Sequence, residues 1–154
     1  MTEKIIIGKE EWIELPKLGL PAVKARIDSG AKTSSLHAFN MELFEKNGKK
    51  YVEFDIHPLQ KNKKVKKKCR AQIIDKRQVK SSSGESEKRF VINTPMKLGE
   101  ETWTIQVTLT NRDSMGYRML LGREAMEKRI LIDPDLSFCK GKISNNSLKE
   151  LYIE

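Results

Sequence analysis

Where a pattern is legible in this chain, apolar and polar positions alternate, the signature of a strand with one face buried. Val23, Ala25 and Ile27 form the apolar phase of one such stretch, with Lys24 and Arg26 between them. Residues 102–110 make the clearest strand, and residues 51–56 alternate in the same way. Residues 5–7 and 11–15 read as two further strands, followed by a turn over 16–21 that holds Pro16, Gly19 and Pro21. Residues 36–44 continue extended into Asn47-Gly48, a strong hairpin signal. Residues 71–75 and 89–92 flank a polar, serine-rich tip, which predicts an exposed hairpin, and 96–100 reads as another turn. Helical periodicity is scarce, with 124–129 and 146–151 the candidates. Many short strands and few helices predict an all-β barrel or folded sheet, here a single domain over residues 1–154.

The Val23 strand ends in Asp28-Ser29-Gly30, which sets a carboxylate at the rim of a sheet. Taken alone this is a strand-terminal turn, with Gly30 permitting a bend that other residues resist. A second segment changes that reading. Tyr117-Arg118-Met119-Leu120-Leu121-Gly122-Arg123 is an apolar strand end followed by Gly-Arg and a short helix-forming pattern. Together the two segments resemble the retropepsin-like aspartic proteases. The fuller pattern is similar to a bacterial retropepsin-like family often labelled ATP-dependent zinc proteases and associated with ATP-grasp ligases that modify ribosomal proteins and peptides. The matching blocks are Glu11-Trp12 with Leu15-Pro16, Asp28-Ser29-Gly30-Ala31 through Leu36-His37-Ala38, Arg77-Gln78-Val79-Lys80-Ser81-Ser82-Ser83-Gly84, and Thr110-Asn111-Arg112-Asp113 through Leu121-Gly122-Arg123.

The resemblance implies a retropepsin-like closed barrel or folded sheet with one short helix after Gly122, and an aspartic-type peptidase. That chemistry needs two carboxylates sharing a proton, one as base toward water and one as acid toward the scissile carbonyl. The chain holds one Asp-Ser-Gly, so a homodimer must bring two copies of Asp28 together. Ser29, Gly30, Ala31, Gly122 and Arg123 are expected to support the active loop, with Arg123 paired to a carboxylate of its own chain or the partner. Lys80, Ser81, Ser82, Ser83 and Gly84 correspond to the flap that closes over a peptide or protein substrate. Asp113 is a second acidic candidate, read more simply as a turn acceptor.

Charge adds a question about substrate. The formal net charge is +9, which favours an anionic partner. Residues 61–68 carry six lysines, yet no aromatic residue stands among them to stack a base. Direct nucleic-acid binding is therefore not expected, and the resemblance implies another anionic partner: a basic rim around the cleft would select acidic or ligase-modified peptides, such as glutamate-rich tails made by the associated ligases. The alternative is an inactive peptide-binding or ribosome- and nucleic-acid-binding module that uses the basic run.

Cys69 and Cys139 are too few for a disulfide scaffold, and no apolar run reaches the length of a membrane span, so a cytoplasmic location is expected. His37, His57, Cys69 and Cys139 lack the close spacing of zinc ligands. Lys80-Ser81-Ser82-Ser83-Gly84 lacks the order of a phosphate loop. Neither a metal nor a cofactor is implied by the residues.

Overall fold

The computed structural model describes residues 3–59, 64–80, 83–111 and 116–152. Its centre is a six-stranded closed barrel. Around it in order run β2 (Glu10–Leu15), β3 (Leu20–Ile27), β10 (Met119–Leu121), β4 (Ser34–His37), β9 (Glu101–Thr110) and β8 (Ser86–Leu98). A pairing of Glu14 with Lys97 between β2 and β8 closes the ring. The all-β barrel expected from the alternation is the observed fold. Leu15, Leu20, Val23, Ala25, Leu36, Met96, Val107 and Leu121 fill its interior, all fully buried.

From β8 the sheet continues outward through β7 (Lys67–Lys80), β6 (Lys49–Ile56) and β5 (Phe39–Lys46). The hairpin between β5 and β6 turns at Asn47 (φ 54°) and Gly48 (φ 76°), as that dipeptide predicts. A separate two-stranded parallel sheet pairs β1 (Ile5–Ile7) with β11 (Ile130–Ile132).

Two expectations about strands and turns shift. The stretch 36–44 is not continuous: the chain breaks at Ala38 and β5 begins at Phe39, with Asn40 at φ 51°. The turn predicted over 96–100 shrinks to Gly99-Glu100, because Thr94, Met96 and Leu98 stay in the buried phase of β8. The basic run 61–68 enters the sheet. Its last two lysines open β7, where the next residue, buried Cys69, pairs with Phe54. Lys68 is spent on Glu53 at 3.4 Å and Asp55 at 3.7 Å. Residues 61–63 lie outside the described residues.

Among the described residues there are two α-helices, besides a single 3-10 turn at Pro16–Leu18: α1 (Arg123–Met126) follows Gly122 as expected, and α2 (Asn145–Tyr152) lies near the end of the chain. The helix predicted over 124–129 ends early, since Lys128 adopts φ 67°. Glu11 accounts for one of the sequence blocks. Fully buried, its carboxylate accepts from the backbone N–H groups of Gly8 (2.7 Å), Cys139 (2.9 Å) and Lys140 (3.0 Å). A buried charge is tolerated only when so satisfied. It pins the β1–β2 corner to the chain that follows β11.

Candidate active site

Asp28 follows the last residue of β3, and its position is set from below by β10. The two strands run parallel, with Ala25 beside Met119 and Ile27 beside Leu121. The Asp28 N–H then donates to the Leu121 carbonyl at 2.9 Å. β10 also runs antiparallel to β4, so this three-residue strand is clasped between the segments on either side of the Asp28 loop.

Within the loop, the Gly30 N–H donates to Asp28 Oδ1 at 3.0 Å and the Ala31 N–H to the Asp28 carbonyl at 3.2 Å. The loop in turn satisfies the start of α1. Arg123 N donates to the Ala31 carbonyl at 2.7 Å and Glu124 N to the Lys32 carbonyl at 3.0 Å. Those amides have no partner inside the helix, so the Asp28 loop serves as its cap. Trp103 Nε1 donates to the Ala125 carbonyl at 2.9 Å and ties α1 to β9.

Gly122 is demanded by packing. A Cβ there would stand 2.6 Å from the Thr33 carbonyl carbon and 2.9 Å from Ser34 N, and its N–H already donates to Ser34 Oγ at 3.0 Å. Gly30 is demanded for a reason other than the one expected. Its φ is not in the left-handed region, and the constraint is instead the carboxylate, since a Cβ would lie 3.3 Å from Asp28 Oδ1. Arg123 Nη1 donates to the Ser29 carbonyl at 3.2 Å, so the guanidinium braces the loop backbone of its own chain.

Above the loop lies a cleft of about 1120 Å³, lined on one side by Asp28, Gly30 and Ala31 and on the other by the β7–β8 hairpin. Lys80 and Ser83 line it, and Gly84 (φ 87°) is exposed at the hairpin tip. Ser81, Ser82 and Asp113 lie outside the described residues. Among the described residues, cations outnumber acids along the walls: Lys32, Arg77, Lys80 and Arg89 against Asp28 and Glu124.

Sequence reasoning missed Arg89, which is 8% exposed beside this cleft. Its Nε donates to Glu87 Oε1 at 2.5 Å and its Nη1 to Ser35 Oγ at 3.0 Å, while Thr110 Oγ1 donates to the same Glu87 oxygen. The signal was present. Arg89 shares the inward phase of β8 with Val91, an unusual place for a cation unless it is paired.

Other chemistries find little support. Burial pushes the Cys69 thiol up to about 12, which makes it a poor nucleophile. His37 and His57 do come together, with ring centroids 6.4 Å apart and Phe39 stacked 4.3 Å from His57. Among the described residues, however, no group of three His, Cys, Asp or Glu side chains converges as metal ligands.

A closed barrel whose Asp-Ser-Gly strand is clasped by a Gly-Arg strand and faced by a long hairpin is a retropepsin-like barrel. A family profile described as the retropepsin-like aspartic endopeptidase RimB matches residues 6–143, and the chain belongs to this RimB-like family. Curated relatives include two proteins named probable alpha-L-glutamate ligase. One, from Shewanella pealeana, is 52% identical over 97% of this chain and 32% of its own length. The other, from Desulfotalea psychrophila, is 54% identical over 98% of this chain and 32% of its own length. The chain thus spans about a third of the length of these relatives. Neither is named a zinc protease. A solved structure of a Legionella pneumophila protein of unknown function is 31% identical, with a TM-score of 0.75, covering 90% of this chain and all of that one. No helix of the described residues is long and apolar enough to cross a membrane.

Proposed function

We propose that this chain is an aspartic peptidase acting as a homodimer, in which Asp28 from each subunit supplies half of a carboxylate dyad. Two such groups cannot both ionise at close range. The ionised one takes a proton from water as that water attacks the scissile carbonyl. The protonated one donates to the developing oxyanion, and the amine leaves with a returned proton. Ser29, Gly30, Ala31, Gly122 and Arg123 hold the loop, and residues 80–84 close over the peptide. The observation that carries this reading is the Asp28 carboxylate, held by Gly30 N–H at one wall of a cleft roofed by a hairpin.

Association of two subunits is supported by the small β1–β11 sheet. It leaves Ile6 53% exposed, Leu131 51% exposed and nearby Leu136 44% exposed, apolar surface that a second copy would cover. Substrates are peptides rich in acidic side chains. The excess of cations along the cleft supports this, as does the ligase name of the relatives, whose chemistry adds glutamate. A functional link to such a ligase follows from the same names.

The test is hydrolysis of a glutamate-rich peptide beside its glutamine counterpart. Asp28→Asn keeps the size of the side chain and removes its exchangeable proton, so cleavage should fall by at least about 10²-fold with the fold intact. EDTA should leave the wild type active. Cleavage by Asp28→Asn at the wild-type rate, or loss of activity to EDTA alone, would overturn the aspartic mechanism. Failure to cut any peptide at any pH would leave a peptide-binding module.

A further inference from the structure

We propose that Arg89 is the specificity-determining residue of the cleft, its Nη2 edge receiving a side-chain carboxylate of the substrate. This rests on the acidic-peptide reading above. Arginine carries five N–H donors in a rigid fork. Three side chains hold part of that fork: Glu87 on Nε at 2.5 Å, and Ser35 at 3.0 Å with Thr108 at 3.5 Å on Nη1. Nη2 makes no hydrogen bond among the described residues, although the side chain is only 9% exposed and lines the cleft. Nor does it stand among the buried polar atoms left without a hydrogen bond among the described residues, so it keeps some access to solvent. After Glu87, Ser35 and Thr108 are served, one donor edge of this buried guanidinium is left over at a residue that lines the cleft, and a second carboxylate is its charged complement.

The neighbouring cations are less suited to discrimination. Arg77 donates from Nε to Asp75 at 2.7 Å and from Nη1 to Gln106 at 2.8 Å, and its side chain is 37% exposed. Lys32 and Lys80 are exposed, and an exposed ammonium gains little from one more partner. Arg89 is fixed before substrate arrives. Glu87 is itself tied to Thr110, and Ser35 pairs through the barrel with both Leu120 and Thr108. No side-chain freedom is then lost when a carboxylate docks, and a glutamine in its place presents an amide to a fixed positive edge. Ser35 lies on β4, the strand that follows the Asp28 loop, so the anchor and the proposed catalytic carboxylate share one rigid support.

The experiment measures binding apart from turnover. In the Asp28→Asn protein, titration calorimetry compares a tetraglutamate peptide with its tetraglutamine counterpart. The glutamate peptide should bind about 10–100-fold more tightly, the worth of hydrogen bonds to a charged group. Adding Arg89→Met should bring that ratio close to one. Arg89→Lys keeps a cation against Glu87 and tests the same point should the methionine variant fold poorly; it should fall between the two. In active enzyme, Arg89→Lys should raise KM for the glutamate peptide far more than it lowers kcat. A ratio unchanged in either variant, equal binding of the two peptides by the parent, or no binding of either would overturn the assignment. An Arg89-dependent preference in a protein that hydrolyses nothing would uphold Arg89 and sink the peptidase reading instead.

Discussion

At the scale of single residues, the two glycines of the site do different work. Gly122 allows β10 to pass against the Thr33–Ser34 backbone, and no side chain fits where its Cβ would stand 2.6 Å from a carbonyl carbon. Gly122→Ala should therefore force backbone apart and cost about 1–3 kcal/mol. Thermal unfolding should register this as a fall in Tm of roughly 3–10 °C. Gly30→Ala adds a methyl 3.3 Å from Asp28 Oδ1, at an exposed loop where the backbone can give. It should leave Tm within about 2 °C and reduce kcat, because it disturbs the carboxylate rather than the barrel. Equal Tm losses in the two variants would show that both glycines serve packing alone.

At the scale of elements, α2 depends on one phenol. Tyr152 reaches across to β3, where its hydroxyl accepts from Ala22 N at 3.1 Å and donates to the Ala22 carbonyl. Leu148 of the same helix packs with Ala22 and Leu59. Burial, first among the causes, pushes the Tyr152 phenol up from 10 to about 12. An acid whose folded value is raised favours folding while protonated. Below pH 10 that contribution is complete, and it is lost as pH rises from 10 through 12, because the unfolded chain releases the proton first. The shift corresponds to a loss on the order of 2 kcal/mol. Unfolding by urea between pH 9 and pH 12 should show it, and Tyr152→Phe should lose about 1 kcal/mol at neutral pH and flatten the alkaline fall. A wild-type alkaline fall unchanged in Tyr152→Phe would assign it to other groups.

At the scale of the whole molecule, the proposed dyad exists only if two barrels meet. The exposed faces of Ile6 and Leu131 lie side by side, since the two residues are register partners in the β1–β11 sheet. Leu131→Glu places a charge on that strip without touching the barrel core. Sedimentation should find monomer where the wild type is dimer, with the thermal transition retained and peptide hydrolysis lost together with the dimer. A monomeric Leu131→Glu protein that hydrolyses peptide at the wild-type rate would remove the need for a second Asp28.

Alternation by itself made the fold legible as all-β and marked strands such as 51–56 and 102–110, because burying one face of a strand demands a period of two in the residues, whereas the short β11 and the break at Ala38 carry no such pattern. The turn dipeptide Asn47-Gly48 and the Asp28 and Gly122 blocks were equally legible, since backbone conformation and close approach restrict which residues are allowed there. Tertiary structure alone decided what those residues touch. Gly30 answers to a carboxylate oxygen and not to φ, and Arg123 to the Ser29 carbonyl. The stretch over 96–98 stays in β8 because Met96 and Leu98 find a core. Arg89 lies furthest from what a sequence can state. Its Glu87 partner is two residues away, but Ser35 and Thr108 reach it across the barrel from other strands. Local pattern records which face of a strand is buried; only closure of the sheet determines which side chains share that interior.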